Sequence, residues 1–172
     1  MTAPPPSRTA TAARETIVKV ADWAADRGAG VLVTLGLGSC VAIMLYDPVE
    51  RAGGMAHVLL PSKSLARDVS NPAKFPETAV PLLVERVTRL GADPRRLVAK
   101  LAGGASMFAQ LMTPGTVQMG ERNIAAARNA LRAASIPLVR EAVGGEAGRS
   151  VRFHLADGRV EIRSVGQDAT LI

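Results

Sequence analysis

A chain of 172 residues, 48% hydrophobic and 21% charged, is long enough for one domain that buries most of its unfolded surface. It has no apolar run near the roughly 20 residues of a membrane span and no charged-then-apolar leader, so a cytoplasmic protein without membrane insertion is expected. The net charge of +6 and pI near 10.4 fit a solvated basic surface that favours an acidic protein partner. They do not fit a nucleic-acid groove, because the arginines are scattered and aromatics, at 3%, are too few for base stacking.

Residues 1–14 (MTAPPPSRTATAAR) have no apolar period and read as a disordered tail, leaving 15–172 as a single domain. Ile17–Val20 and Gly30–Leu37 read as strands. Val41–Tyr46 and Met55–Leu60 read as a hairpin around the Asp47-Pro48 and Gly53-Gly54 turn chemistry. Thr78 is placed to cap a helix over Ala79–Leu90, with Pro81 in its first turn and Gly91 as the stop. Leu97–Ala102 follows as strand, Glu121–Ala134 as an amphipathic helix turning Ile124, Ala127 and Leu131 inward, and Leu138–Val143 as strand. Val151–Leu155 and Val160–Val165 alternate strictly about Asp157-Gly158, a second hairpin. The mixture of periods predicts a mixed α/β (α+β) domain.

The informative stretch is Val33–Ala42, VTLGLGSCVA, in which the chain's single cysteine follows Gly-Leu-Gly-Ser inside an apolar strand pattern. Glycine in a strand marks a bulge or a close approach of another group. A hairpin centred between Pro48 and Val49 sets Cys40 opposite His57, within thiol-to-imidazole reach. Such a neighbour favours a thiolate–imidazolium pair, an activated nucleophile beside a proton donor. The glycine-rich backbone over Gly36–Cys40, with Gly38 and Ser39 at its centre, can present N–H groups to an oxyanion. Either Thr34 or Ser39 is placed to orient the imidazole, and the six-residue spacing sets Thr34 on the Cys40 face of a regular strand.

An isolated cysteine is most often a small buried hydrophobe, so the reading rests on the coincidence of these residues. One cysteine and two histidines cannot complete a four-ligand zinc site from Cys40 and His57 alone, and neither metal nor cofactor is expected. GLGSCV is not a dinucleotide fingerprint, since Val41 stands where the third glycine belongs. His154 shares the polar face of its strand with Arg152 and is expected on the solvated surface.

TLGLGSCVAIMLYDP and GGMAHVLLP resemble the signature of the CheD family of chemoreceptor glutamine deamidases. NPAKF, KLAGGASMF, GERNI and VGGEAGRSVRFHLADGRVEI extend the likeness, in order, over about Thr16–Ile162. The resemblance implies hydrolysis of selected glutamine side chains, on the cytoplasmic helices of methyl-accepting chemotaxis receptors, to glutamate and ammonia. It implies a Cys, His and Thr catalytic set that falls on Cys40, His57 and Thr34. It also implies β-sheet layers flanked by helices, as in the cytotoxic-necrotizing-factor-like deamidase toxins. Some members of the family bind a CheC-type phosphatase, so a regulatory binding module is the alternative to an enzyme.

Overall fold

The computed structural model describes residues 13–172, so residues 1–12 of the expected tail lie outside the described residues. Arg14 is already attached: its carbonyl accepts from the Val31 N–H and its guanidinium meets Asp26 at 2.6 Å. The chain runs through β1 (Glu15–Ile17), β2 (Trp23–Arg27), β3 (Val31–Leu37), β4 (Val41–Asp47), β5 (Ala52–Val58) and α1 (Pro76–Arg89). It continues through β6 (Val98–Gly103), α2 (Met119–Ala133), β7 (Leu138–Val143), β8 (Arg149–His154), β9 (Val160–Ser164) and β10 (Thr170–Leu171).

Two five-stranded mixed sheets result, ordered β1-β3-β8-β9-β10 and β2-β5-β4-β6-β7. The pairs β1/β3 and β6/β7 are parallel and the others antiparallel. In β4, Val41, Ile43 and Leu45 pack with Leu83 and Val87 of α1 and Ile124, Ala127 and Leu131 of α2. The alternate residues Ala42, Met44 and Tyr46 pack with Leu32 of β3 and Val151 and Phe153 of β8. The domain is thus mixed α+β in three layers, helices on one face of the second sheet and the first sheet on its other face. Every residue of β4 and β5 is buried, which is why both strands are apolar at successive positions.

Three local expectations change. The strand β2 was not anticipated, because WAADR carries little apolar alternation; pairing with β5 forms it. The helix α1 begins at Pro76, where a missing N–H costs nothing, and Thr78 instead donates its hydroxyl to the Pro72 carbonyl at 2.7 Å. Pro81 therefore sits beyond the first turn. The β4–β5 hairpin pairs Asp47 with Ala52 and Ala42 with His57, so its centre lies between Val49 and Glu50, two residues off the expected register.

The cause of that register is the Asp47 side chain. Fully buried, it accepts from the Val49 N–H at 2.9 Å and the Asp93 N–H at 2.8 Å, and it takes Arg96 through both carboxylate oxygens at 3.1 and 2.7 Å. Arg51 completes the four-residue turn at φ 51°. Gly53 and Gly54 are not turn residues but lie within β5. A side chain on Gly53 would strike Leu155 and Phe153 of the first sheet, and one on Gly54 would press on Leu83 of α1.

The Arg96 guanidinium and the N–H donors outweigh burial and hold the Asp47 carboxyl at about 2, below its usual 3.8. A carboxyl depressed in the folded state stabilises above its unfolded pKa and loses that contribution as it protonates. Stability of the wild type should therefore decline as pH falls from about 4 to about 2, measured by urea unfolding. Asp47→Ala should lose about 1–3 kcal/mol at neutral pH and flatten that decline.

Candidate active site

The segment joining the two sheets builds the site. Between Thr34 and Leu37 the β3–β8 register shifts by one residue, a bulge in which Gly36 takes φ 68°. The chain leaves the first sheet there, crosses through Gly38, Ser39 and Cys40, and enters the second sheet at Val41. Thr34 and Cys40 therefore lie on facing sheets and not along one face of a single strand, as regular spacing had suggested. His57 faces Ala42 directly, and Cys40 lies two residues before that pairing, packed against the inter-sheet core to which Ala42 belongs. The direct Cys40–His57 opposition expected from the turn is thus corrected to an offset of two residues.

Thr34 and His57 are both buried, at 0% and 1% exposure, and bonded across the layer: Thr34 Oγ1 lies 2.8 Å from His57 Nδ1 and 2.7 Å from the Val18 carbonyl. A carbonyl only accepts, so the single hydroxyl proton goes to Val18 and Thr34 accepts from the imidazole. This fixes the proton on Nδ1 and leaves a lone pair on Nε2, which is buried and has no hydrogen-bond partner among the described residues. Of the two candidates for orienting the ring, Thr34 does so. Ser39 enters instead through its carbonyl.

Cys40 is half-buried and reduced. Burial pushes its thiol pKa up, opposed by its own backbone N–H, while burial holds the His57 imidazole down at about 4. The expected thiolate–imidazolium pair is therefore not the resting state; both partners rest neutral because the inter-sheet layer penalises either charge.

The carbonyls of Gly38, Ser39 and Cys40 accept in turn from the Ala105 N–H at 2.7 Å, the Asn123 Nδ2 at 2.8 Å and the Gly104 N–H at 2.7 Å. Among the described residues, no carbonyl takes a bond from the N–H groups of Ser39 and Cys40. A cleft of about 220 Å³ opens beside this loop, lined by Ser39, Ala105, Met107, Phe108 and Met119. No group of ligating residues with metal-site geometry occurs among the described residues.

Residues 59–164 match the family described as CheD, chemotactic sensory transduction. A protein of Caldanaerobacter subterraneus subsp. tengcongensis, named "Probable chemoreceptor glutamine deamidase CheD", is 40% identical over 90% of this chain and 96% of its own length. One of the same name from Moorella thermoacetica is 45% identical over 92% and 96%. The chain belongs to the CheD family. Among solved structures, the Bacillus licheniformis hypothetical protein YfiH aligns at a TM-score of 0.44 and 17% identity, over 70% of this chain and 49% of that one.

The CheD motifs quoted above converge on the crossing segment. In KLAGGASMF, Gly103 and Gly104 are more than a strand break: a side chain on Gly103 would collide with the Cys40 carbonyl. In GERNI, Asn123 reaches the Ser39 carbonyl and, at 3.2 Å, that of Leu59. Sequence reasoning passed over Asn123, although a signal existed, since it stands four and eight residues before Ala127 and Leu131 on the apolar stripe of α2. His154 lies on the outer face of the first sheet, away from the site. It is half-buried beside Glu161 at 3.9 Å instead of fully solvated, because the neighbouring strand β9 covers its ring.

Nitrogen NMR of His57 should show Nδ1 protonated and Nε2 bare near neutrality, with a midpoint near pH 4. Protonation of Nε2 at pH 7 would contradict the Thr34 contact, and an ordinary midpoint near 6.5 would contradict the burial of the ring. Iodoacetamide should label Cys40 with a pH midpoint above that of an ordinary cysteine, the direction set by burial.

Proposed function

We propose that this chain is a cysteine-dependent protein-glutamine deamidase that hydrolyses selected glutamine side chains of methyl-accepting chemotaxis receptors to glutamate, releasing ammonia. The observation that carries the reading is the Thr34–His57 bond, which leaves Nε2 unprotonated on the inter-sheet face that it shares with the chain's single cysteine. Membership of the CheD family supplies the substrate class. The acting chain is a single domain over 15–172 in the cytoplasm, needs no metal or cofactor, and meets the cytoplasmic helices of the receptors. Its layered fold is of the kind found in cytotoxic-necrotizing-factor-like deamidase toxins.

In this reading the glutamine carboxamide enters the cleft beside Ser39 with its carbonyl carbon over Cys40. Sγ attacks that carbon as the thiol proton passes to His57 Nε2, so no free thiolate accumulates and the neutral resting pair is the competent one. The carbonyl oxygen takes the electron pair and is held by the N–H groups of Ser39 and Cys40, with Gly38 giving the room for its approach. Nε2–H then gives its proton to the nitrogen, the C–N bond breaks and ammonia leaves a thioester. Water attacks the thioester with Nε2 as base, the C–S bond breaks, and proton return restores the thiol with glutamate released. Thr34 keeps the ring in register throughout.

A second role, binding a CheC-type phosphatase, has its own support in the exposed apolar side chains of Met107, Phe108, Leu111 and Met112 bordering the cleft. A binding module needs no nucleophile, and this separates the two readings.

Cys40→Ala should abolish ammonia release from a receptor cytoplasmic fragment while melting close to wild type; retained release would remove Cys40 as the nucleophile, and no release from the wild type itself would leave only the binding role. Thr34→Val keeps shape and branching and should slow turnover by about tenfold or more, because the acceptor that holds the Nδ1 proton and aims the ring is lost while the packing survives. Wild-type turnover in Thr34→Val would reduce the site to Cys40 and His57.

A further inference from the structure

Three consecutive carbonyls, those of Gly38, Ser39 and Cys40, are each held by a separate donor, and only the middle one is held by a side chain. A trans peptide unit is planar, with its C=O and N–H pointing in opposite directions. The Ser39 carbonyl and the Cys40 N–H belong to one such unit. Drawing that oxygen toward α2 therefore turns the Cys40 N–H away from α2, toward the side where the oxyanion would form.

We propose that Asn123 is a positioning residue that aims the Cys40 N–H as an oxyanion donor. This rests on the reading of Cys40 as the nucleophile and assigns the orientation of its backbone to one side chain of α2. Both carbonyls that meet the Asn123 amide are acceptors, so the NH2 group faces them and is fully used. Its second bond, to Leu59, ties the strand end two residues after His57 to the same amide. The clamp thus spans the β4 and β5 ends just beyond their last paired rung, Val41 with Val58. Asn123 is wholly buried and its Oδ1 has no partner among the described residues. An apolar residue in that place on α2 would leave the Ser39 and Leu59 carbonyls without their donor, so it is these two carbonyls, and not packing, that account for the amide.

The test compares three properties of Asn123→Ala, which deletes the donors, and Asn123→Asp, which keeps the shape but turns the donors into acceptors. The kcat for ammonia release from a receptor cytoplasmic fragment should fall by about 10²-fold, within the range for losing one oxyanion donor. KM should stay within about twofold, because the bond strengthens only in the transition state. Alkylation of Cys40 by iodoacetamide, a displacement that forms no oxyanion, should stay within about threefold of wild type. Turnover near wild type in either folded variant overturns the proposal. So does an equal fall in turnover and alkylation, which marks a general disturbance of the nucleophile. Failure of both variants to fold, read by thermal melting, also overturns it, by placing Asn123 in the scaffold alone. Cys40→Ala is assayed alongside: if it retains turnover, the nucleophile reading has failed, independently of what Asn123 does.

Discussion

The site depends on one buried hydrogen bond, that between Thr34 of the first sheet and His57 of the second. An imidazole placed between two apolar sheets cannot keep a second proton at neutral pH, and its one N–H must find an acceptor or cost about 1–3 kcal/mol. Thr34 serves as acceptor only because its own proton is taken by Val18, whose residue follows the short parallel strand β1. Three elements from two sheets thereby settle which ring nitrogen is basic. The other nitrogen is left buried and without a partner among the described residues.

The same layer sets the electrostatics. Desolvation acts in opposite directions on the two groups, raising the thiol and lowering the imidazole, so the pair rests without charge. The crossing segment adds N–H groups, those of Ser39 and Cys40, that no carbonyl engages among the described residues. Their peptide units are held in place, because the carbonyls of Gly38, Ser39 and Cys40 are bonded to β6's exit and to α2.

Much of this was legible in the sequence. Apolar alternation located β8 and β9, the glycines flagged a bulge or close approach within Val33–Ala42, and the residues Thr34, Cys40 and His57 were each singled out. The β4–β5 register was not legible, because β4 and β5 are buried on both faces and so carry no alternation of exposed polar positions to fix their phase. What sets it is the Asp47 carboxylate, whose partners Asp93 and Arg96 lie more than forty residues onward. The change of sheet between Thr34 and Cys40 was equally hidden, since a bulge at Gly36 and a regular strand share the same residue spacing. Asn123 was overlooked because polar residues are common on helices; its place on the apolar stripe of α2 marked it as buried, but only the structure shows which carbonyls it meets.

The first sheet joins segments far apart in the sequence, since β3 finds its antiparallel partner in β8, more than a hundred residues later. Cys40 and His57 therefore emerge from the ribosome well before the strand that backs Thr34. A chain made only that far carries Thr34, Cys40 and His57 on an unfinished framework. Such long-range closure is slow to form, so the partner that Thr34 offers to the imidazole gains its backing strand only once β8 has been made.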